Sequence, residues 1–280
     1  MIRAIALSQG HYECRSLKET ISVLTDLLAF EVVKITPGRA VVRHLNTQWL
    51  LVLHEAGPTA ADKPQPNHYG VRVASRGEVD VAWEYITAHR DAYRIDRITR
   101  PTEPEFYSFY FREPGGNHWE IEWYDPALVA QGRSIAAPPW AALLPEERFP
   151  GKGYIPQALT HGSLECDDKA SSEHFYRGVL GLGTAGGSRK TSLHVKHPAD
   201  PWYIVVVASG RRRQPLPPAC RFTLQVASPD EVRAAHREFA SRGSSLGIAE
   251  LREIRQEGRQ FSFIFSDLDR NWWEVAATVS

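Results

Sequence analysis

The sequence predicts an α+β protein of four βαβββ modules in two tandem domains, with antiparallel-rich sheets that carry helices on one face and leave a concave polar face. Three observations predict it. Ala-Leu-Ser-Gln-Gly-His-Tyr-Glu-Cys at 6–14 returns as Ala-Leu-Thr-His-Gly-Ser-Leu-Glu-Cys at 158–166. Asn117-His118-Trp119-Glu120 returns as Asn271-Trp272-Trp273-Glu274, so the offset drifts only from 152 to 154 along the chain, which marks a duplicated domain. Within each copy, segments of period 2 and period 3.6 follow one another in the same order twice.

The elements follow in chain order. Residues 3–14 alternate, with Leu7, Gln9, His11 and Glu13 on one face and Ala6, Ser8, Gly10, Tyr12 and Cys14 on the other, as in a strand. Leu17, Ile21, Leu24, Leu27 and Leu28 recur at helical spacing. Val41–Leu45 and Trp49–His54 read as two further strands. The second module opens with a strand at His68–Val73 and a helix that starts at the capping-box pattern Ser75-x-x-Glu78 and runs to about His89. A short strand near Ile95–Thr99 and a hairpin, Phe106–Arg112 with His118–Tyr124, close it. The hairpin turn Glu-Pro-Gly-Gly-Asn is rich in residues that a tight reversal requires. Ser228-x-x-Glu231 opens the matching helix of the second copy. The modules fall at roughly 3–56, 66–124, 156–209 and 219–279. They give domains at 1–126 and 155–280, joined over 127–154 by a proline-rich linker with one helical turn.

Composition narrows the functional classes. Lysine plus arginine and aspartate plus glutamate both number 33, so no global field draws the chain to nucleic acid or to an anionic membrane. No apolar run reaches the length of a membrane span and the N-terminus lacks a signal-peptide pattern, which leads us to expect a cytoplasmic protein. Cys14 and Cys166 occupy equivalent positions and read as core residues, with Cys220 left over, in keeping with a reducing compartment. Arg211-Arg212-Arg213 precedes Gln-Pro-Leu-Pro-Pro and reads as a solvated connector.

Phe175-Tyr176-Arg-Gly-Val-Leu-Gly-Leu and Phe111-Arg-Glu-Pro-Gly-Gly-Asn-His-Trp-Glu120, together with the fourfold module, resemble the vicinal oxygen chelate superfamily, which includes glyoxalase I, fosfomycin-resistance enzymes and type I extradiol dioxygenases. The resemblance implies that two modules join into an open, barrel-like sheet around one divalent metal. It also implies ligands from the first strand of one module and from the first and last strands of the other. Carried onto this chain, those positions are Gln9, His68 and Glu120 in one copy and His161, Arg221 and Glu274 in the other. Pairing modules in sequence order gives a Gln9, His68, Glu120 set and a second set containing Arg221, which cannot ligate a cation. Pairing the second module with the third and the first with the fourth collects His68, Glu120 and His161 in one place. Gln9, Arg221 and Glu274 then form a degenerate set. The second pairing is favoured because it alone assembles a complete set, and the first stays open. A register slip would bring in His11, which shares a face with Gln9.

Two imidazoles and one carboxylate match the facial triad of non-haem iron oxygenases. The resemblance therefore implies an Fe(II) extradiol-type dioxygenase that opens the ring of a catechol- or hydroquinone-like aromatic. Its expected partners are the small aromatic substrate and O2, and a homodimer is a further expectation. Mn, Zn, Ni or Co are the alternative metals; Ni, Zn or Co without an oxygen requirement would suit a glyoxalase-type isomerase or lyase, and a non-catalytic small-molecule or antibiotic binder is the third class. Counting outward from the hairpin turn sets Tyr110 opposite Glu120, where the resemblance gives a tyrosine the role of a hydrogen-bond partner to substrate; Ile264 stands there in the second copy. The histidine that extradiol enzymes keep shortly before that tyrosine is missing from Arg100–Tyr107. His194 and His197, on a strand of the third module, are the candidates for the acid/base role, with His194 ahead because His197 has a counterpart in His44.

Overall fold

The computed structural model describes residues 2–102, 106–125, 127, 140, 142–186, 190–210 and 215–279. The arginine run at 211–213 and linker residues 128–139 lie outside the described residues. The strands are β1 Ala6–Cys14, β2 Phe30–Thr36, β3 Arg39–His44, β4 Leu50–Glu55, β5 His68–Arg72, β6 Arg97–Ile98, β7 Tyr107–Arg112, β8 His118–Trp123, β9 Ala158–Glu165, β10 Gly183–Gly186, β11 Ser192–Lys196, β12 Tyr203–Val207, β13 Arg221–Gln225, β14 Glu250–Leu251, β15 Arg255–Glu257, β16 Gln260–Ser266 and β17 Trp272–Thr278. The helices with described bounds are α1 Leu17–Leu28, α2 Arg76–Ala88, α3 Lys169–Gly178 and α4 Pro229–Leu246. Among the described residues the stretch between the copies carries a 3-10 turn at Glu146–Arg148.

The helix starts follow the sequence signals. Ser75 Oγ accepts from the Glu78 amide at 3.2 Å while the Glu78 carboxylate accepts from the Ala74 amide at 3.2 Å, so both partners of the capping box are engaged. Ser228 and Glu231 repeat this at α4, at 3.3 and 2.8 Å. Ser16 caps α1, which ends where Ala29 turns left-handed at φ 58°. β2, which the alternation does not single out, follows at once and carries exposed Val33 and Ile35, so its pattern is not that of a half-buried strand.

The chain divides into two compact units, Tyr12–Ser163 and Met1–His11 with Leu164–Ser280, and the division falls within β1 and within β9. In the first unit β5 pairs antiparallel with β9 and parallel with β8, and β8 continues antiparallel to β7 and β6. In the second unit β1 pairs antiparallel with β13, β13 runs parallel to β17, and β17 pairs antiparallel with β16. Each unit thus joins first strands from different copies, β5 with β9 and β1 with β13.

The two units close their hairpins alike. Gly116 has φ 98° in the β7–β8 turn, and Arg270 takes φ 61° at the equivalent place, a positive φ that a non-glycine residue adopts only when the surroundings impose it. The Asn117 side chain donates to the Glu13 carbonyl at 3.0 Å, and Asn271 donates to the Glu165 carbonyl at 3.0 Å. Glu113, fully buried, receives Thr20 Oγ1, the Gly115 amide and Asn117 Nδ2. The hairpin motif is therefore a clamp that holds the closing strand against a first strand.

Alternation along β8 sends Trp119 and Ile121 into the core and His118, Glu120 and Glu122 to the opposite face. Trp119 is fully buried among Tyr12, Phe30 and Tyr69, with ring centroids 5.6–6.4 Å apart. Val79, Ala82 and Ile86 bury the inner face of α2, each apolar side chain contributing about 1.5–3 kcal/mol where it is as large as valine or isoleucine. Cys14, Cys166 and Cys220 are free and buried, and burial, ahead of the Glu113 charge, pushes the Cys14 thiol up to about 12. No helix among the described residues is long and apolar enough to cross a membrane.

Candidate metal centre

Register brings the polar face of the first unit to one point. Gly70 lies between Glu120 on its parallel neighbour and His161 on its antiparallel neighbour, and Tyr110 is paired with Glu120. Because Gly70 has no side chain, the His161 ring crosses over its Cα; a Cβ there would stand 2.6 Å from Nδ1 and 2.7 Å from Nε2 of that ring. His68, one register step along β5, reaches the same spot.

The result is a triangle of donors. His68 Nε2 lies 3.1 Å from His161 Nε2 and 3.2 Å from Glu120 Oε2, and His161 Nε2 lies 3.2 Å from the same oxygen. All three residues are buried, and they are the group among the described residues that could hold a metal ion. Ser163 Oγ is a third polar neighbour of His68 Nε2, at 3.1 Å. An imidazole nitrogen offers one proton or one lone pair and cannot satisfy three such neighbours.

The donors fit a divalent cation. Metal–ligand bonds of roughly 2.0–2.2 Å place donors at right angles about 3 Å apart, close to the observed triangle. His68 Nδ1–H donates to the Gln65 carbonyl at 2.7 Å, which leaves Nε2 with its lone pair toward the cluster. Glu120 Oε1 is buried and accepts no hydrogen bond from any described residue, an orphaned carboxylate oxygen of the kind a cation would engage. Burial favours the neutral Glu120 acid, yet the His161 and His68 imidazoles at 3.2 Å outweigh it and hold the carboxyl well below the usual range. Burial disfavours a charged His161, but Glu122 and Glu120 overcome that and push it up to about 9.

The Tyr110 ring meets His68 edge-on at 5.0 Å, as the hairpin count requires. His194 and His197 belong to the second unit and are not in this group. His194 is buried on β11 with its ring 4.8 Å from Tyr203. His197 Nε2–H donates to the Ala4 carbonyl at 3.1 Å and Nδ1 accepts from the Ala199 amide at 3.3 Å, so both nitrogens are engaged structurally. Gln9 is also in the second unit, paired with Thr223.

The second unit repeats the layout with other residues. Arg221 stands at the place of His68, Thr223 at that of Gly70 and Glu274 at that of Glu120. Glu274 Oε2 accepts from Arg221 Nε at 3.1 Å and Thr223 Oγ1 at 2.9 Å, and His11 Nε2 lies 3.5 Å away. Its Oε1 accepts from Gln260 at 2.9 Å and Ser262 at 2.7 Å. A guanidinium and three neutral donors saturate this carboxylate, leaving no lone pair for a metal.

The sequence singles out the three clustered residues His68, Glu120 and His161 but not Gly70, Arg72, Glu122, Thr160 or Ser163. The signal was present for three of them. Glu122 and Ser163 lie two residues beyond Glu120 and His161, and Arg72 two beyond Gly70, hence on the same faces of their strands.

Residues 10–121 match the model of the Glyoxalase/Bleomycin resistance protein/Dioxygenase superfamily. No curated protein matches the sequence. Among solved structures, glyoxalase I from Zea mays is similar with a TM-score of 0.63 at 13% identity, over 98% of this chain and 92% of that one. A candidate dioxygenase from Bacillus subtilis subsp. subtilis str. 168 gives 0.66 at 11% identity, over 99% and 86%. At such identities the likeness is one of fold.

Proposed function

We propose that this chain, a member of the glyoxalase/bleomycin resistance/dioxygenase superfamily, is a non-haem Fe(II) dioxygenase that opens the ring of a small catechol- or hydroquinone-like aromatic with O2. One observation carries the reading: the cluster holds two imidazoles and a single carboxylate, His68, His161 and Glu120. That donor set leaves a divalent ion positively charged with adjacent positions open. The chemistry Fe(II) supplies when bound is activation of dioxygen beside a chelated diol.

The chain's own residues supply the rest. Tyr110, beside His68, orients a substrate oxygen through its hydroxyl. Glu120 Oε1, which accepts no hydrogen bond from any described residue, offers an acceptor for a hydroxyl of an incoming diol. Protein purified without oxygen, loaded with Fe(II) and exposed to catechols and hydroquinones should consume O2. Iron-loaded protein that consumes none with either class would overturn ring cleavage.

The same orphaned oxygen favours one second reading, a glyoxalase-type isomerase in which Glu120 shuttles a proton on a carbonyl substrate. Activity with Ni, Zn or Co and no oxygen requirement would select it.

A further inference from the structure

We infer that Arg72, Glu122 and Thr160 form a positioning relay that fixes His161 as a ligand, a role that rests on the reading of His161 as part of a metal site. Arg72 Nη2 donates to Glu122 Oε1 at 2.8 Å, and both side chains are buried. Thr160 Oγ1 donates to the same oxygen at 2.8 Å and lies 3.0 Å from His161 Nδ1. A hydroxyl has one proton. Two acceptors face that proton, the Glu122 carboxylate and, at 3.1 Å, the Gly70 carbonyl; neither can donate, so Oγ1 accepts from His161 Nδ1–H, and Glu122 Oε1 lies 3.6 Å behind that nitrogen. A proton held at Nδ1 makes Nε2 the nitrogen that can give its lone pair to an ion shared with His68 and Glu120. A carboxylate behind a ligating imidazole both fixes its tautomer and raises its donor strength.

A buried ion pair could instead be a device of the fold. The second unit argues against this. The register that pairs Arg72 with Glu122 pairs Gln225 with Ala276 there, between equivalent strands. The equivalent sheet therefore closes without the ion pair. The pair accompanies the two histidines and is absent where Gln9 and Arg221 replace them. Burying two charges is costly and yields little net stability, so its presence in one unit alone points to the ring it serves.

The test uses the full chain stripped of metal and titrated with Co(II), whose visible absorption reports the ligand set. Removing Glu122 alone would strand Arg72, so the main variant is the double exchange R72Q/E122A, which installs the second unit's residues, and T160V is the second. Both should keep the wild-type circular dichroism and bind Co(II) about 10–100-fold more weakly with an altered d–d spectrum. T160S, which keeps the hydroxyl, should restore affinity. In proton spectra of the Co(II) protein, the slowly exchanging, paramagnetically shifted His161 Nδ1–H should vanish in T160V. Unchanged affinity and spectrum in both variants would overturn the relay. Wild-type protein whose Co(II) binding is indifferent to H161A would overturn the metal site itself, a separate outcome.

Discussion

His68 Nε2 and His161 Nε2 face each other at 3.1 Å, so the two nitrogens cannot both carry a proton. With His68 Nδ1–H donated to the Gln65 carbonyl, His68 Nε2 turns a lone pair inward beside the Glu120 carboxylate, and a cation would take the place of the proton between it and His161 Nε2. Each chain should accordingly bind one divalent ion. His161→Ala or His68→Ala should weaken binding by a factor of 100 or more on the order-of-magnitude scale of ligand loss, whereas Gln9→Ala should leave it unchanged. Titration with Co(II) or Zn(II) against a chromophoric chelator reads this. A Gln9 dependence without a His161 dependence would reinstate the set drawn from a single copy.

Gly70 is where the backbone makes way for the His161 ring. A Gly70→Ala methyl would collide with the His161 ring, and the ring is the part that can move. Metal affinity should fall at least tenfold while stability of the metal-free protein changes by about 1–2 kcal/mol. Chemical denaturation and metal titration on one sample separate the two. Wild-type affinity in this variant would show that the His161 ring does not need its place over Gly70.

Much of this was legible in the sequence because duplication supplies its own alignment. The mismatches His161 with Gln9 and His68 with Arg221 marked where the copies diverge, and hairpin counting set Tyr110 opposite Glu120. Pairing between β5 and β9 was an inference from ligand chemistry, since strand adjacency across a long separation leaves no local pattern. Thr223 escaped because a threonine in a strand looks ordinary; only its hydrogen bond to Glu274 shows that it fills the space kept open at Gly70. β2 escaped because most of its residues are exposed, which erases the period-2 signal.

Arg221 and Glu274 should matter to stability and not to metal stoichiometry. Glu274 is buried and Arg221 nearly so, and removing one partner leaves the other charge without compensation. Arg221→Met should cost about 3–5 kcal/mol in metal-free protein, and R221M/E274L less, since the double variant strands no charge. Both should still bind one metal per chain. A loss of stoichiometry in either would mean that the second unit also holds an ion.

His44 gives the fold an acid sensitivity whose sign can be worked out. Its ring is fully buried, lies edge-on to Phe30 at 5.4 Å and accepts from the Asn46 amide at Nδ1. Burial lowers its pKa from 6.5 to about 3, so the fold holds it neutral while an unfolded chain would protonate it. Between these values the unfolded state binds more protons, and stability falls as pH falls. The contribution is fully present above pH 6.5 and lost progressively toward pH 3, reaching about 4–5 kcal/mol at the acid end. His44→Asn keeps an acceptor near Nδ1 but cannot be protonated. It should be less stable than wild type at pH 8 by about 1–3 kcal/mol, from the cavity it leaves, and should lose that disadvantage as the solution is acidified. Urea denaturation of both proteins in EDTA across pH 4–8 measures the difference. Parallel stability curves would show that His44 is not the group that titrates.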